Sequence, residues 1–437
     1  MEMLLSLVIL LLVGLALGVP IFISMSFSTI VTMLTLGDYD IVIAVQRLFD
    51  GMDKFSLMSM PFYILASDIM IVGGLSRRIL DFADALIGGF RGSLALTTEV
   101  SSMFFGALSG SSPATVSAIG ALMYPQLKKG GYGDKFSTGL ITSAGSVAIL
   151  IPPSITFIVY GATTGVSIGA LFMAGVGAGI VYGAGVLAYS YYYAVKNNVP
   201  RSEPKTRAQK LKAAKEASWA LGVPVIILGG IMGGVFTPTE AAGVSVVYAF
   251  FVTACIYKEL TLEKFIEALV RSSTTISQLM ILLGAAALFG WAFTVTYIPQ
   301  TLMAQLVEVV RSPYLFLFVL NIMFLILGMF IDGSAAITIM APLFYRPALA
   351  MGIDPVHLGA IAVSNFAIGM FTPPFGLNLF VAKTISNLKM SGIYSAVLPF
   401  IIINVITLVL ITYFPEISLF VPKLAGYVGS QSVLGTM

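Results

Sequence analysis

Apolar stretches follow one another from end to end of this chain, and two kinds can be told apart by length and interruption. Uninterrupted runs near the roughly 20 residues that cross a bilayer as a helix fall at about 4–23, 57–74, 168–195, 218–235, 238–257, 274–293, 313–330 and 393–414. Between them lie shorter pieces cut by Gly, Pro and Ser, at 93–108, 114–127, 136–151, 153–165, 334–350, 357–372 and 374–388. Pieces near a dozen residues are too short to span the hydrocarbon. They fit re-entrant hairpins and interrupted helices, which persist at membrane depth only where protein or a wet cavity surrounds them. The pattern predicts an all-α polytopic membrane protein, because no alternating polar face suggests a β-barrel.

Three segments have mixed faces and read as interfacial helices: Leu75–Ile87, Leu260–Ser272 and Pro299–Arg311. In the first, Ile79, Phe82 and Leu86 separate at helical spacing from Arg78, Asp81 and Asp84. The first and third each precede a broken region and are candidate horizontal arms.

The short pieces repeat. Ser109-Gly110-Ser111-Ser112-Pro113-Ala114-Thr115 is answered 223 residues later by Asp332-Gly333-Ser334-Ala335-Ala336-Ile337-Thr338. Pro152-Pro153 is answered 221 residues later by Pro373-Pro374. Two unrelated motifs agree on one repeat length. A lone Gly/Ser cluster in a membrane helix is ordinarily a packing or kink feature. Paired interruptions in register are the sequence mark of a transporter's binding site.

Charge is scarce and placed. Only 10% of the 437 residues are charged, against about a quarter in soluble proteins. The polar stretch Lys196–Glu216 carries seven Lys or Arg against two Glu and divides the chain near its middle; basic excess places it in the cytoplasm. The first hairpin is flanked by Arg77, Arg78, Arg91, Lys128, Lys129 and Lys135 against Asp81, Asp84 and Asp134. The second has Arg311, Arg346 and His357 against Glu308 and Asp354. The same rule makes the first hairpin enter from the cytoplasm and the second from the other face, an inverted repeat.

This arrangement divides the chain into N-terminal scaffold helices (1–74), a first repeat of arm, hairpin and broken helix (75–195) and a basic linker (196–217). Scaffold helices of the second half (218–298), a second repeat (299–392) and a C-terminal helix and tail (393–437) follow. The run 4–23 reads as a retained first span, since Met1-Glu2-Met3 offers no basic start and no small-x-small cleavage site follows. Residues 426–437 read as a disordered tail. Cys255 and His357, one of each type, exclude an internal disulfide and a zinc or di-iron cluster and read as ordinary helix residues. The net charge of +3 does not suggest nucleic acid.

The chemistry of the interruptions suits a hard cation beside an anion. Unwound carbonyls and Ser or Thr hydroxyls are the oxygens with which transporters hold sodium, and half-helix N-termini favour a carboxylate. A proline frees the carbonyl four residues back, which makes 145–148 and 367–370 candidate ligand segments, with Ser364, Asn365, Thr372 and Asn378 beside the second. Four acids sit in apolar surroundings, where ionisable groups are functional by default: Asp68, Glu99, Glu240 and Asp332. Asp332 is the strongest, at a hairpin tip. Glu99 reads as protonated or paired with a nearby base. Asp68 reads as a helix-end or subunit-contact residue, and Glu240 as a helix-start acid after Thr237-Pro238-Thr239. A channel would need a continuous lined pore, and an enzyme would need a catalytic constellation that one His and one Cys do not supply.

The two tips, with Ile151-Pro152-Pro153-Ser154 and Phe371-Thr372-Pro373-Pro374-Phe375-Gly376, resemble those of the large membrane subunit of tripartite ATP-independent periplasmic (TRAP) transporters, the DctM family. The resemblance covers nearly the whole chain and is greatest to the sialic acid (SiaM-type) members. It implies uptake of an organic acid, expected to be sialic acid with a C4-dicarboxylate or other organic acid as the alternative. Two or more sodium ions drive it, by an elevator movement of a transport domain against a scaffold, in the bacterial inner membrane. It also implies a small four-helix membrane subunit and a periplasmic binding protein as partners besides lipid. By resemblance, one sodium site falls at Ser109, Ser111, Ser112, Gly145, Ala148 and Pro152. The other falls at Asp332, Gly333, Ser334, Gly369, Thr372 and Pro373. Substrate then contacts Ser112, Pro153, Ser334, Thr338 and Asn378, between the tips.

Overall fold

A computed structural model describes residues 2–37, 39–201, 204–295 and 312–426. The proposed second arm, 299–311, and nearly all of the C-terminal tail lie outside them. The described chain is helical apart from one isolated antiparallel bridge, Arg91 to Arg201.

The first half runs α1 (Glu2–Ala16), α2 (Ile21–Leu36), α3 (Ile41–Met52), a 3₁₀ turn (Phe55–Met58) into α4 (Ser59–Val72), and α5 (Leu75–Ile87). A hairpin follows, α6 (Ser93–Ser109) and α7 (Ser112–Lys129). The broken helix is α8 (Asp134–Ala144), tightened to 3₁₀ over Gly145–Ile149, then α9 (Ile155–Thr164); α10 (Ile168–Lys196) closes the half. The second half repeats the order: α11 (Arg207–Met232), α12 (Pro238–Phe251) with a π turn (Val252–Ile256), and α13 (Leu262–Val295). Then come the hairpin α14 (Pro313–Gly328) and α15 (Gly333–Ala350), the broken helix α16 (Pro355–Gly369) and α17 (Leu377–Ile385), then α18 (Met390–Tyr413) and α19 (Glu416–Leu424).

Local chemistry explains the joints. Gly110, at φ 57°, ends α6, and Pro113 starts α7 where its missing N–H costs nothing. The side chain of Asp332 caps α15 by accepting from Ser334 N at 2.9 Å. Thr237 and Glu240 form a capping box that starts α12, the helix-start role expected of Glu240. Both Pro–Pro bonds, Pro152-Pro153 and Pro373-Pro374, are cis.

Two long helices fix how the hairpins enter. α10 begins beside the base of the second hairpin, where Leu171 packs on Gly359 and Tyr160 Oη donates to Pro355 O at 3.0 Å. It ends beside the base of the first, where Ala194 lies under Gly92 and Tyr193 stacks on Phe136 at 3.7 Å. α18 spans the same depth in the opposite direction: Ala396 and Phe400 pack on Gly139 of α8, while Tyr413 Oη donates to Tyr314 O at 3.3 Å at the start of α14. At ~1.5 Å per residue both helices exceed the ~30 Å hydrocarbon thickness. The hairpin bases therefore lie at opposite ends of spanning helices, and the repeats are inverted. The linker sits under the first base, with Lys205 3.2 Å from Asp84, so the basic excess gathers on that side, the one expected to be cytoplasmic. The halves also exchange contacts: α7 packs on α17, and α15 packs on α9.

Several expectations need correction. The run 4–23 is not one span: Gly18 takes φ 77° and Pro20 precedes α2, so a turn splits it. The piece 313–330, expected to span, is the first limb of the second hairpin. The mixed segment 260–272 is no interfacial helix, because residues from Leu262 begin the 34-residue α13. The linker and the run 218–235 are not separate elements, because α11 starts at Arg207 behind the Thr206–Gln209 capping box and continues to Met232. On α5 the buried face is Leu75, Ile79, Leu80 and Ala83, and Leu86 is exposed. Helix α3 was not foreseen at all.

Candidate functional site

Each hairpin tip rests on the interruption of its own repeat. In the first, Gly106 packs on Ala148, and a Cβ placed on Gly110 would lie 2.3 Å from Pro153 O. Only glycine allows both that approach and the positive φ. In the second, Gly328 packs on Gly369, and Gly333 faces Phe366. The pairing of tip with broken helix expected in each half is therefore present in space.

The oxygens at the two joints differ in how they are engaged. Ser109 Oγ lies 2.9 Å from Thr115 Oγ1, which also donates to Ser111 O at 2.9 Å. Ser111 occupies the cap position of α7 but its side chain makes no capping bond. Across the break, Ile151 N donates to Val147 O at 3.2 Å, and Gly145 packs on Val116 of the hairpin. In the second half Thr372 Oγ1 donates to Ile368 O at 2.7 Å, Thr372 N to Gly369 O at 3.0 Å, and Asn378 N to Met370 O at 2.9 Å. Val147 O and Ile368 O each accept two donors, since Leu150 N and Phe371 N also reach them, whereas the single bonds to Gly369 O and Met370 O leave each an acceptor position for a cation. The donor sets are hard oxygens, suited to an alkali ion rather than a transition metal.

Both tips face one cavity of about 800 Å³. Its wall includes Ser109–Ala114 from the first tip, Asp332 and Ser334 from the second, Met370 and Leu377 from the second break, and Ile149 and Ile155 from the first. Opposite stand Ile64, Ser67 and Asp68 of α4, with Arg271, Thr275 and Gln278 of α13. Of the expected substrate contacts, Ser112 and Ser334 lie on this wall. Pro153 and Asn378 lie behind it, and Thr338, which donates back to Ser334 O at 2.8 Å, lines a separate crevice with Lys54 and Trp291.

Asn378 has a different job from the one expected. It is fully buried, accepts from Ser112 Oγ at 3.0 Å, and approaches that hydroxyl through Nδ2 at 2.7 Å. Its amide also donates to Thr142 O at 3.1 Å. It therefore ties the first hairpin and α8 to the broken helix of the other repeat. A parallel network, Asn365 Nδ2 to Asn321 Oδ1 at 2.7 Å and Asn321 Nδ2 to Thr412 Oγ1 at 3.0 Å, holds α16 to α14 and α18.

The buried acids resolve differently. Asp68 is not a helix-end residue: it lies within α4, takes Ser272 Oγ at 2.8 Å, and is 3.4 Å from Arg271 Nε. Glu99 is fully buried beside Gly183, and neither carboxyl oxygen has a partner among the described residues, so the paired alternative is not realised. His357 is an ordinary buried residue, bonded to Ser418 Oγ at 2.7 Å and Thr412 O at 3.1 Å. Asp68 with Arg271 was missed as a cavity feature. The signal was available in the polar positions 271, 275 and 278, spaced to share one helix face.

Comparison with known proteins agrees with this architecture. A profile of the tripartite ATP-independent periplasmic transporter DctM component matches residues 8–417. The C4-dicarboxylate TRAP transporter large permease protein DctM of Vibrio cholerae is 40% identical over 93% of this chain and 94% of its own length. The sialic acid TRAP transporter large permease protein SiaM of the same organism is 34% identical over 93% and 95%. Among solved structures the Alcanivorax borkumensis YdaH transporter matches with TM-score 0.59 over 85% of this chain and 87% of that one, at 14% identity, a likeness of fold alone. The chain belongs to the DctM family, the large permease component of TRAP transporters, and is a polytopic transporter subunit rather than an enzyme.

Proposed function

We propose that this chain performs sodium-coupled uptake of an organic carboxylate across the bacterial inner membrane. The observation that carries the reading is the meeting of two inverted hairpin tips on one cavity, each seated on its own broken helix. Alternating access about a midplane site is the use to which such pairs are suited. A sodium ion at each tip-and-break junction supplies positive charge, with Ser109, Ser111, Ser112, Gly145, Ala148 and Pro152 around one. Asp332, Gly333, Ser334, Gly369, Thr372 and Pro373 surround the other. The carboxylate then binds between them, against Ser112 and Ser334. The hairpins and broken helices move as the transport domain, and α4 with α13 belong to the scaffold they slide against.

Substrate identity follows the carboxylate and not one named acid. The relative named for C4-dicarboxylates is more similar than the one named for sialic acid, so sialic acid has no preference here. Family membership supports a small four-helix membrane subunit and a periplasmic binding protein as partners. The test is uptake into proteoliposomes containing both membrane subunits, with the binding protein outside. Succinate or N-acetylneuraminate should accumulate only under an inward sodium gradient. Equal accumulation without that gradient rules out sodium coupling, and single-channel currents would favour a channel.

A further inference from the structure

The central cavity carries one strong cation among its described lining residues, and it is not on a hairpin. Arg271 stands on α13, with Thr275 and Gln278 at four and seven residues further on, so the three share one helix face toward the cavity. α13 starts on the linker side, just after Glu259, which pairs with Arg78 of α5 at 2.6 Å. Arg271 is therefore in the cytoplasmic half of the cavity, across from the tips.

Its surroundings leave it available. Asp68 lies closest, Oδ1 3.4 Å from Nε, and Asp68 is itself steadied by Ser272 Oγ at 2.8 Å. No hydrogen bond joins the guanidinium to a protein acceptor among the described residues, and about half of the Arg271 side chain is exposed. A guanidinium held from one side and open on the other presents a planar fork suited to a carboxylate. Aligned Asp68 also explains why a cation is tolerated this far along an apolar helix.

We infer that Arg271 is the anion-recognising residue on the scaffold wall of the cavity, selecting dicarboxylates by taking the carboxylate remote from the hairpin tips. The inference rests on the proposed carboxylate transport and adds its chemistry. Sodium ions at the tips neutralise one end of the substrate, and Arg271 neutralises the other. A monocarboxylate can satisfy the tips but leaves Arg271 with its tether Asp68. Because Arg271 is on the scaffold, its bond to substrate forms on one side of the transport cycle only.

The test is ligand protection, which needs no gradient or partner. In the full-length protein with Cys255→Ser and Gln278→Cys, the rate of maleimide labelling is measured at fixed sodium with succinate or monomethyl succinate. Succinate should protect at concentrations at least tenfold lower than monomethyl succinate. Arg271→Gln should erase that preference, and Asp68→Asn/Arg271→Gln, which leaves no orphaned carboxylate, should erase it equally. Arg271→Lys should keep part of it. A preference unchanged in the double variant, or no preference in the starting protein, overturns the assignment. Protection as expected without sodium-driven uptake in proteoliposomes would instead overturn the transport reading and leave the recognition site standing.

Discussion

The two hairpins have one shape and two chemistries. The first turns on Gly110 in a left-handed conformation, pressed on Pro153 O, and offers only neutral oxygens from Ser109, Ser111 and Ser112. The second turns through residues 329–332 without that approach, and Asp332 both caps α15 and reaches the cavity wall. The first tip is thus fixed by backbone sterics, and the second by a carboxylate that satisfies orphan helix amides. Inverted repeats place two similar scaffolds around one cavity and leave each free to present its oxygens differently.

The largest expected effect separates the tips by sterics. Gly110→Ala adds a Cβ 2.3 Å from a backbone oxygen and forces a φ of 57° on an L residue, itself worth about 1–2 kcal/mol. Sodium-driven uptake should be abolished and thermal stability lowered. Gly333→Ala meets its nearest atom, Phe366 Cβ, at 3.1 Å with no positive φ, and should retain most uptake. Equal loss in both would remove the distinction.

A smaller effect separates the polar ties. Asn378→Ala removes the link from Ser112 and Thr142 to the other repeat and strands a buried hydroxyl, a cost of about 1–3 kcal/mol. Asn365→Ala breaks a bond within its own repeat, to Asn321. Both should lower the melting temperature by several degrees, but only Asn378→Ala should also slow uptake per folded molecule. Matching uptake in the two variants would make Asn378 a packing residue only.

The smallest concerns the membrane surface at the first base. Arg78 pairs with Glu259 at 2.6 Å and lies over the Tyr257 ring at 3.8 Å, both partly exposed. Arg78→Ala should cost about 1 kcal/mol or less of stability, with substrate affinity unchanged in the protection assay. A large loss of affinity would mean that α5 is coupled to the cavity.

Much of this was legible because breaks leave residues behind. Gly and Pro mark the places where a helix must end, so both tips and both Pro–Pro bonds could be located from their spacing. What failed was the reading of depth and surroundings. Hydropathy records composition and not surroundings, so the apolar limb Pro313–Gly328 looked like a span although it is half of a hairpin. The turn at Gly18-Val19-Pro20 is apolar but for its glycine and vanished inside a long run. The polar face of 260–272 was visible, yet a face turned to water in a cavity and one turned to lipid headgroups look alike in sequence. Asn378 shows the same limit at the site: its residue type suggested a substrate contact, and only the fold revealed a partner 266 residues away.

The central claim is that each tip holds its own sodium ion, one through neutral oxygens and one through Asp332. Sodium dependence of succinate uptake, measured in proteoliposomes at saturating substrate for the wild type, Ser111→Ala and Asp332→Ala, tests it most directly. The account predicts a sigmoidal sodium curve for the wild type, as two coupled sites allow, and a weaker, non-sigmoidal response in each variant, with Asp332→Ala the more impaired. Wild-type sodium curves in both variants would contradict it and place the ions elsewhere.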